Sequence, residues 1–149
     1  MQNFVELLKD HALILSATRS LTAITRSSAA NSGAAFASLR QLARLLDSHL
    51  RTETEFIKVE HHFGKGDFSA LAEAHSERFD DLVAEWSTYL LEWTEDNIRE
   101  DWATFAAATD WMVKRLEEQV ETENELLYPA ALRYGLIRLL PEKHGAPVN

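Results

Sequence analysis

Two carboxylates in this chain stand where a leucine would be expected. Glu53 follows His49 by four residues, and Glu123 follows Gln119 at the same spacing. Residues at i and i+4 share one face of a helix, about 6 Å apart along its axis. In both segments that face is the apolar one. A carboxylate there is costly unless something cationic meets it. Histidines lie on comparable faces elsewhere in the chain, at His11 and His75, so a bound metal is the simplest cation to supply. Imidazole and carboxylate together suit iron, manganese or zinc. The absence of cysteine excludes thiolate sites, disulfides, iron–sulfur clusters and a cysteine nucleophile.

The elements that must position these groups read as helices throughout. From about Asn3 to Ile24, apolar residues recur at Phe4, Leu7, Leu8, Ile14, Leu15 and Leu21, with His11 on the same stripe. Ser27–Gly33 is a small-residue turn in which Asn31 or Ser32 would cap the next helix. That second helix runs to about Phe63, with Phe36, Leu39, Leu42, Leu46, His49, Glu53, Phe56, Ile57 and Glu60 facing inward, and Gly64-Lys65-Gly66 closes it. Asp67 is the expected N-cap of a third helix carrying Phe68, Leu71, His75, Phe79, Leu82, Trp86, Leu90 and Trp93. After capping residues at Thr94–Asn97, a fourth presents Ile98, Trp102, Phe105, Thr109, Met112, Leu116, Gln119, Glu123, Leu126 and Leu127 until Pro129 disrupts it. Ala130–Leu140 carries a short amphipathic pattern (Leu132, Leu136, Leu139) that would cap the bundle or meet a second copy in a homodimer. Residues 141–149 read as a tail. No stretch shows a strand pattern or a solenoid-type repeat.

Four long helices with short turns predict an all-α, antiparallel up-down-up-down four-helix bundle over residues 1–140, with a short C-terminal helix. In such a bundle the first and third helices start at the end where the second and fourth finish. Measured inward from that end, His11, His49/Glu53, His75 and Gln119/Glu123 all fall at roughly 12–20 Å depth. Scattered polar residues would not line up at one level on four helices.

The totals set the remaining limits. The chain has 149 residues, enough for one domain with a core, and a net charge of −9. That charge argues against non-specific binding to nucleic acid or anionic membranes. No signal peptide or spanning run is visible, so the cytoplasm is the expected compartment.

Each polar residue also has a plain reading. A lone histidine on an apolar stripe is usually a hydrogen-bonded core residue, and Glu53 or Glu123 alone would be an edge residue answering Arg51 or Arg115. His61 and His62 belong to a helix C-terminus, where a cationic imidazole favours the dipole. Trp86, Trp93, Trp102 and Trp111 read as packing. Glu117, Glu118, Glu121 and Glu125 form a solvated face. What separates His11, His49, Glu53, His75, Gln119 and Glu123 from these is that they share a depth and an inward direction.

The order His11, His49 with Glu53, His75, then Glu123 followed by Leu127-Tyr128-Pro129 resembles the hemerythrin-like HHE cation-binding domain. The similarity runs from about Asn3 to Pro129. It implies a four-helix bundle around a non-haem di-iron centre, with Glu53 and Glu123 as bridges. His11 and the fourth-helix residue would serve one iron, and His49 with His75 the other. Gln119 stands where that family has histidine, and an amide oxygen is a weaker donor than imidazole. An intact di-iron site, a single-metal site and a di-metal site with an opened position all follow from that exchange. The resemblance further implies a small gaseous or peroxide ligand: binding or sensing of dioxygen, nitric oxide or related oxidants, or handling of iron. The ligand pocket is expected behind Leu8, Leu15, Leu46, Phe56, Phe79, Leu116 and Leu126. No proton donor stands on the stripe beside the site, so binding is expected ahead of turnover. A di-metal oxidase or peroxidase-like enzyme is the alternative, and a single-zinc or metal-free interaction module the third reading.

Overall fold

The computed structural model describes residues 2–63 and 66–141, with the backbone alone at 56–63, 66 and 67. Expectations for the side chains of Phe56, Ile57, Glu60, His61, His62, Phe63 and Asp67, for Gly64-Lys65, and for His144 and the tail from residue 142 lie outside the described residues. Among the described residues the protein is all-helical, without a named strand, and no helix is long and apolar enough to cross a membrane.

Helix α1 spans Phe4–Thr25. Asn3 caps it by accepting the Glu6 N–H at 2.8 Å, which satisfies one of the donors a helix start leaves open. Its buried face is Leu7, His11, Ile14, Thr18 and Leu21, a strict three-and-four alternation that takes a histidine and a threonine into the interior. After a 3-10 turn at Ala29–Asn31, α2 runs Ser32–Phe63 and α3 runs Gly66–Glu92. Gly66 therefore opens α3 where the sequence placed it at the close of α2.

The expected fourth helix is broken twice. Thr94 caps a short α4, Glu95–Glu100, by accepting the Asn97 N–H at 3.2 Å. At Asp101 the backbone leaves helical dihedrals (φ −137°, ψ 62°) before α5 begins at Trp102. Helix α5 ends at Thr122, and the chain passes through a π-type turn, Glu123–Leu127, into α6, Tyr128–Arg133. Pro129 thus sits in the first turn of α6, a position that suits a residue without an N–H. The widened turn precedes it, where an α-helical carbonyl would meet the proline ring.

Beyond α6 the structure differs from the amphipathic helix expected through Leu140. Gly135 takes a left-handed conformation (φ 73°), the Gly135 N–H reaches the Leu132 carbonyl and the Leu136 N–H the Ala131 carbonyl. Together these form a Schellman stop. The following strand-like segment lies along the start of α1: Phe4 N–H donates to Arg138 O at 2.7 Å and Arg138 N–H to Gln2 O at 2.9 Å. Ile137 is buried by this pairing, while Leu139 and Leu140 stay exposed.

Helix α1 packs on α2 and α5, and α3 packs on the same two helices. Inside lie two apolar clusters. The larger one includes Ile14, Leu21, Leu42, Leu46, Leu82, Trp86, Phe105, Met112, Leu116 and Val120. The smaller one gathers Leu7, Phe68, Ala72, Leu127, Tyr128, Ala131 and Ile137. On α1, His11 lies between Leu7 and Ile14; on α3, His75 lies between Ala72 and Leu82. A polar layer therefore separates the two clusters. Trp111 departs from its expected role: it is 55% exposed, under the Arg115 guanidinium.

Candidate metal centre

The layer draws side chains from α1, α2, α3, α5 and the π-turn. His11 Nε2 is 3.0 Å from His49 Nε2 and 2.8 Å from Glu123 Oε1. His49 Nε2 is also 3.3 Å from Glu53 Oε2 and 3.3 Å from Glu123 Oε1. One ligand atom from each of His11, His49, Glu53 and Glu123 lies within 4.8 Å of the others, and all four residues are buried. His75 Nε2 stands 3.5 Å from Glu123 Oε2 and 4.0 Å from Glu53 Oε1. Gln119, half-buried, donates its amide N–H to Glu123 Oε2 at 3.0 Å and lies 3.3 Å from His75 Nδ1. The six residues read from the sequence thus meet in one place. Their grouping differs from the one the resemblance implies, since His11 sits with His49 and Gln119 with His75.

The plain alternatives for the carboxylates do not hold. Arg51 pairs with Asp47 at 2.9 Å, and Arg115 pairs with Glu85. Neither arginine answers Glu53 or Glu123, whose counter-charges come from imidazole. Glu117, Glu118, Glu121 and Glu125 are exposed, as their solvated reading requires.

Three residues at the centre escaped the periodic reading. The Tyr128 hydroxyl lies 2.9 Å from His11 Nε2, 3.1 Å from His49 Nε2, 3.2 Å from Glu53 Oε1 and 3.3 Å from Glu123 Oε1. A phenol O–H therefore stands where no proton donor was expected. Asn124 Oδ1 is 2.6 Å from His11 Nδ1. A side-chain oxygen in that place holds an imidazole proton on Nδ1 and aims Nε2 at the centre, so that Nε2 is the nitrogen free to bind a metal once its own proton leaves. Asp10, half-exposed, approaches His49 Nδ1 at 3.8 Å.

Electrostatics follow from burial and crowding. Burial pulls His49 down, but the Glu123 and Glu53 carboxylates against its Nε2 outweigh it, raising it to about 10. Burial, then the charge of Glu123, pushes Glu53 well above the ordinary carboxylate range. Burial opposes ionisation of Glu123 too, yet hydrogen bonds from His11 and His49 bring it well below that range. His75 is lowered, first by burial and then by Arg78 and His49, against the pull of Glu123. Tyr128 is raised by burial and by the two carboxylates. The two carboxylates are thus driven apart, Glu123 toward ionisation and Glu53 toward protonation, with His49 held toward its cationic form.

That arrangement leaves work undone. Among the described residues, Glu53 Oε2 and His75 Nε2 are buried at the layer without a hydrogen-bond partner, as is His49 Nδ1, which faces away toward Asp10, and such atoms carry the full cost of desolvation. Two carboxylates and three imidazoles converging in a buried layer can satisfy one another only partly. A divalent or trivalent cation would satisfy them together, and the donor set of nitrogen and oxygen fits iron, manganese or zinc.

A cavity of about 40 Å³ adjoins the layer, room for a diatomic molecule or a water or two. Leu46, Phe79 and Leu116 line it as expected, joined by Ile14, Leu82, Val83, Trp86 and Val120, and it ends on His49, Glu53, Gln119 and Glu123. Leu8 and Leu15 are not among its walls, and Leu126 is 53% exposed because the π-turn rotates it outward.

No family model, curated protein or solved structure matches this chain.

Proposed function

We propose that this chain is a hemerythrin-like metal-binding protein: an antiparallel up-down-up-down four-helix bundle over residues 1–140, whose polar layer holds iron and which binds or senses a small oxidant such as dioxygen or nitric oxide. One observation carries the reading. His11, His49, Glu53 and Glu123, from three separate stretches of chain, bring buried nitrogen and oxygen donors within 4.8 Å, with His75 Nε2 beside them at 3.5 Å from Glu123. Iron bound there would supply a redox-active Lewis acid open to a diatomic ligand. The chain's own contribution is to hold and dry the site. Asn124 fixes the His11 tautomer, Glu123 spans both sides of the layer, and the Ile14, Leu82 and Trp86 walls keep bulk water from the adjoining cavity.

Metal content per chain by elemental analysis, after anaerobic ferrous loading and desalting, tests the reading, with absorption spectra before and after air. One to two irons per chain and a spectrum that changes in air are expected. A folded chain that retains no metal would overturn the proposal and leave an interaction module. Steady-state consumption of oxygen or peroxide would move the assignment to an enzyme.

A further inference from the structure

We propose that Tyr128 is itself a ligand, its phenol oxygen completing the metal centre beside His11, His49, Glu53 and Glu123; the inference rests on the reading that this centre binds metal. The spacing carries it. Donors at right angles on one ion, each about 2.1 Å from it, lie about 3 Å from one another. Three of the four residues already considered obey that spacing among themselves, with His11–His49, His11–Glu123 and His49–Glu123 at 3.0, 2.8 and 3.3 Å, and Glu53 joins them through Oε2 at 3.3 Å from His49 Nε2. The Tyr128 oxygen keeps the same distances, 2.9–3.3 Å, to an atom of each of the four. It belongs to the donor cluster and does not stand outside it. A phenol merely supporting the ligands from behind would touch one or two of them, having one proton to give and two lone pairs to offer.

The backbone is built to bring it there. On a regular α-helix, residues five apart point about 140° away from each other, so Tyr128 would face away from Glu123. The π-turn at Glu123–Leu127, closed by the Tyr128 N–H on the Glu123 carbonyl, widens the helix and brings both side chains into the layer. Such turns recur where a helix must present a functional group. The Tyr128 ring is fully buried and stacks on His11, with centroids 5.0 Å apart, so its oxygen is fixed before any ion arrives. Gln119, by contrast, turns an N–H toward Glu123 and His75. The oxygen donor missing from the fourth-helix position is thus supplied five residues past Glu123. Coordination replaces the phenol O–H bond by an oxygen–metal bond and releases one proton, with no change of oxidation state.

Ferric loading of the metal-free full chain tests this, read by visible absorption and resonance Raman. The expected result is a phenolate-to-iron charge-transfer band with phenolate ring modes in enhancement, both lost in Tyr128→Phe. The chain has three tyrosines, so if Tyr128→Phe does not fold, Tyr89→Phe and Tyr134→Phe assign the band by elimination: its survival in both supports Tyr128. Iron retained by the wild-type chain without phenolate modes would overturn the inference and leave the metal-binding reading standing. A band abolished by Tyr89→Phe or Tyr134→Phe overturns it equally. A chain that takes up no iron overturns both.

Discussion

His11 and His75 enter the same buried layer, one from α1 and one from α3, and their surroundings are unequal. Both nitrogens of His11 are engaged: Nδ1 with Asn124, Nε2 with Glu123, His49 and Tyr128. His75 touches the Gln119 amide through Nδ1, while its Nε2 is buried without a hydrogen-bond partner. Among the described residues the His11 side is thus organised by the protein itself, and the His75 side keeps one nitrogen open to what the layer binds. Glu123 joins the two, one oxygen to each. Removing it should collapse the comparison altogether. Glu123→Ala leaves the cationic His49 without its main partner in a buried site, a change of about 3–5 kcal/mol. The expected outcome is a large fall in the denaturation midpoint of the metal-free protein, together with loss of iron in elemental analysis. An unchanged midpoint would mean the layer is not held by this carboxylate.

The asymmetry itself is tested by leucine, close to histidine in bulk. His11→Leu strips a partner from buried Glu123, which costs about 1–3 kcal/mol, and from half-buried Asn124. His75→Leu removes a buried nitrogen that already lacks a partner, so less than about 1 kcal/mol should be lost. Denaturant titration of the two metal-free variants would show the difference, and iron content should fall in both. Equal destabilisation would dissolve the distinction between a preorganised and an unfinished side.

How far the sequence reached can be read from the same residues. His11, His49, Glu53, His75 and Glu123 all lie on regular stretches where a 3.6-residue period holds, so their shared face and depth were legible. Tyr128 and Asn124 were not, because they belong to a turn that departs from that period. Pro129 was the available signal, read as an end to the helix when it marks a change of pitch. The extents of α1, α2 and α3 followed apolar spacing and caps. The break at Asp101 did not, since nothing in Ile98-Arg99-Glu100-Asp101-Trp102 forbids a helix locally. The pairing of Arg138 with the start of α1 is a contact between chain ends, beyond any local pattern. Among the tryptophans, Trp86 and Trp93 are buried as expected, but Trp111 falls off the stripe.

Proton binding gives a smaller and graded effect. His49 is raised from its ordinary 6.5 to about 10, so the folded chain holds a proton there that the unfolded chain has lost. Glu53, raised above the carboxylate range, acts in the same sense. The stability that His49 contributes to the metal-free protein is therefore complete below about pH 6.5 and declines as pH rises to about 10, while that of Glu53 begins to fade as soon as pH exceeds the ordinary carboxylate value, by up to about 1.4 kcal/mol per pH unit for each net proton. Glu123, lowered, opposes this only on the acid side, where its contribution fades as pH drops below the ordinary carboxylate value. Bound metal takes over the charge that His49 supplies, so loading should flatten the alkaline decline in a pH series of melts. A decline of equal slope with and without metal would separate the pH response from the centre.

The smallest expected change, in stability at least, sharpens the weaker side directly. Gln119 is half-buried and its amide spans Glu123 and His75. Gln119→His exchanges an amide for an imidazole of similar reach, leaving the apolar walls untouched, so the metal-free melt should shift by less than about 1 kcal/mol. Occupancy is where it should act. An imidazole in that position adds a strong nitrogen donor beside His75, on the side the protein leaves unfinished. Iron per chain should rise toward two, with no change in the features that belong to the His11 side. Unchanged iron content and spectrum would mean that residue 119 serves only to orient His75 and Glu123. The inequality of the two sides would then rest on Tyr128, which completes the surroundings of His11 and has no counterpart around His75 among the described residues.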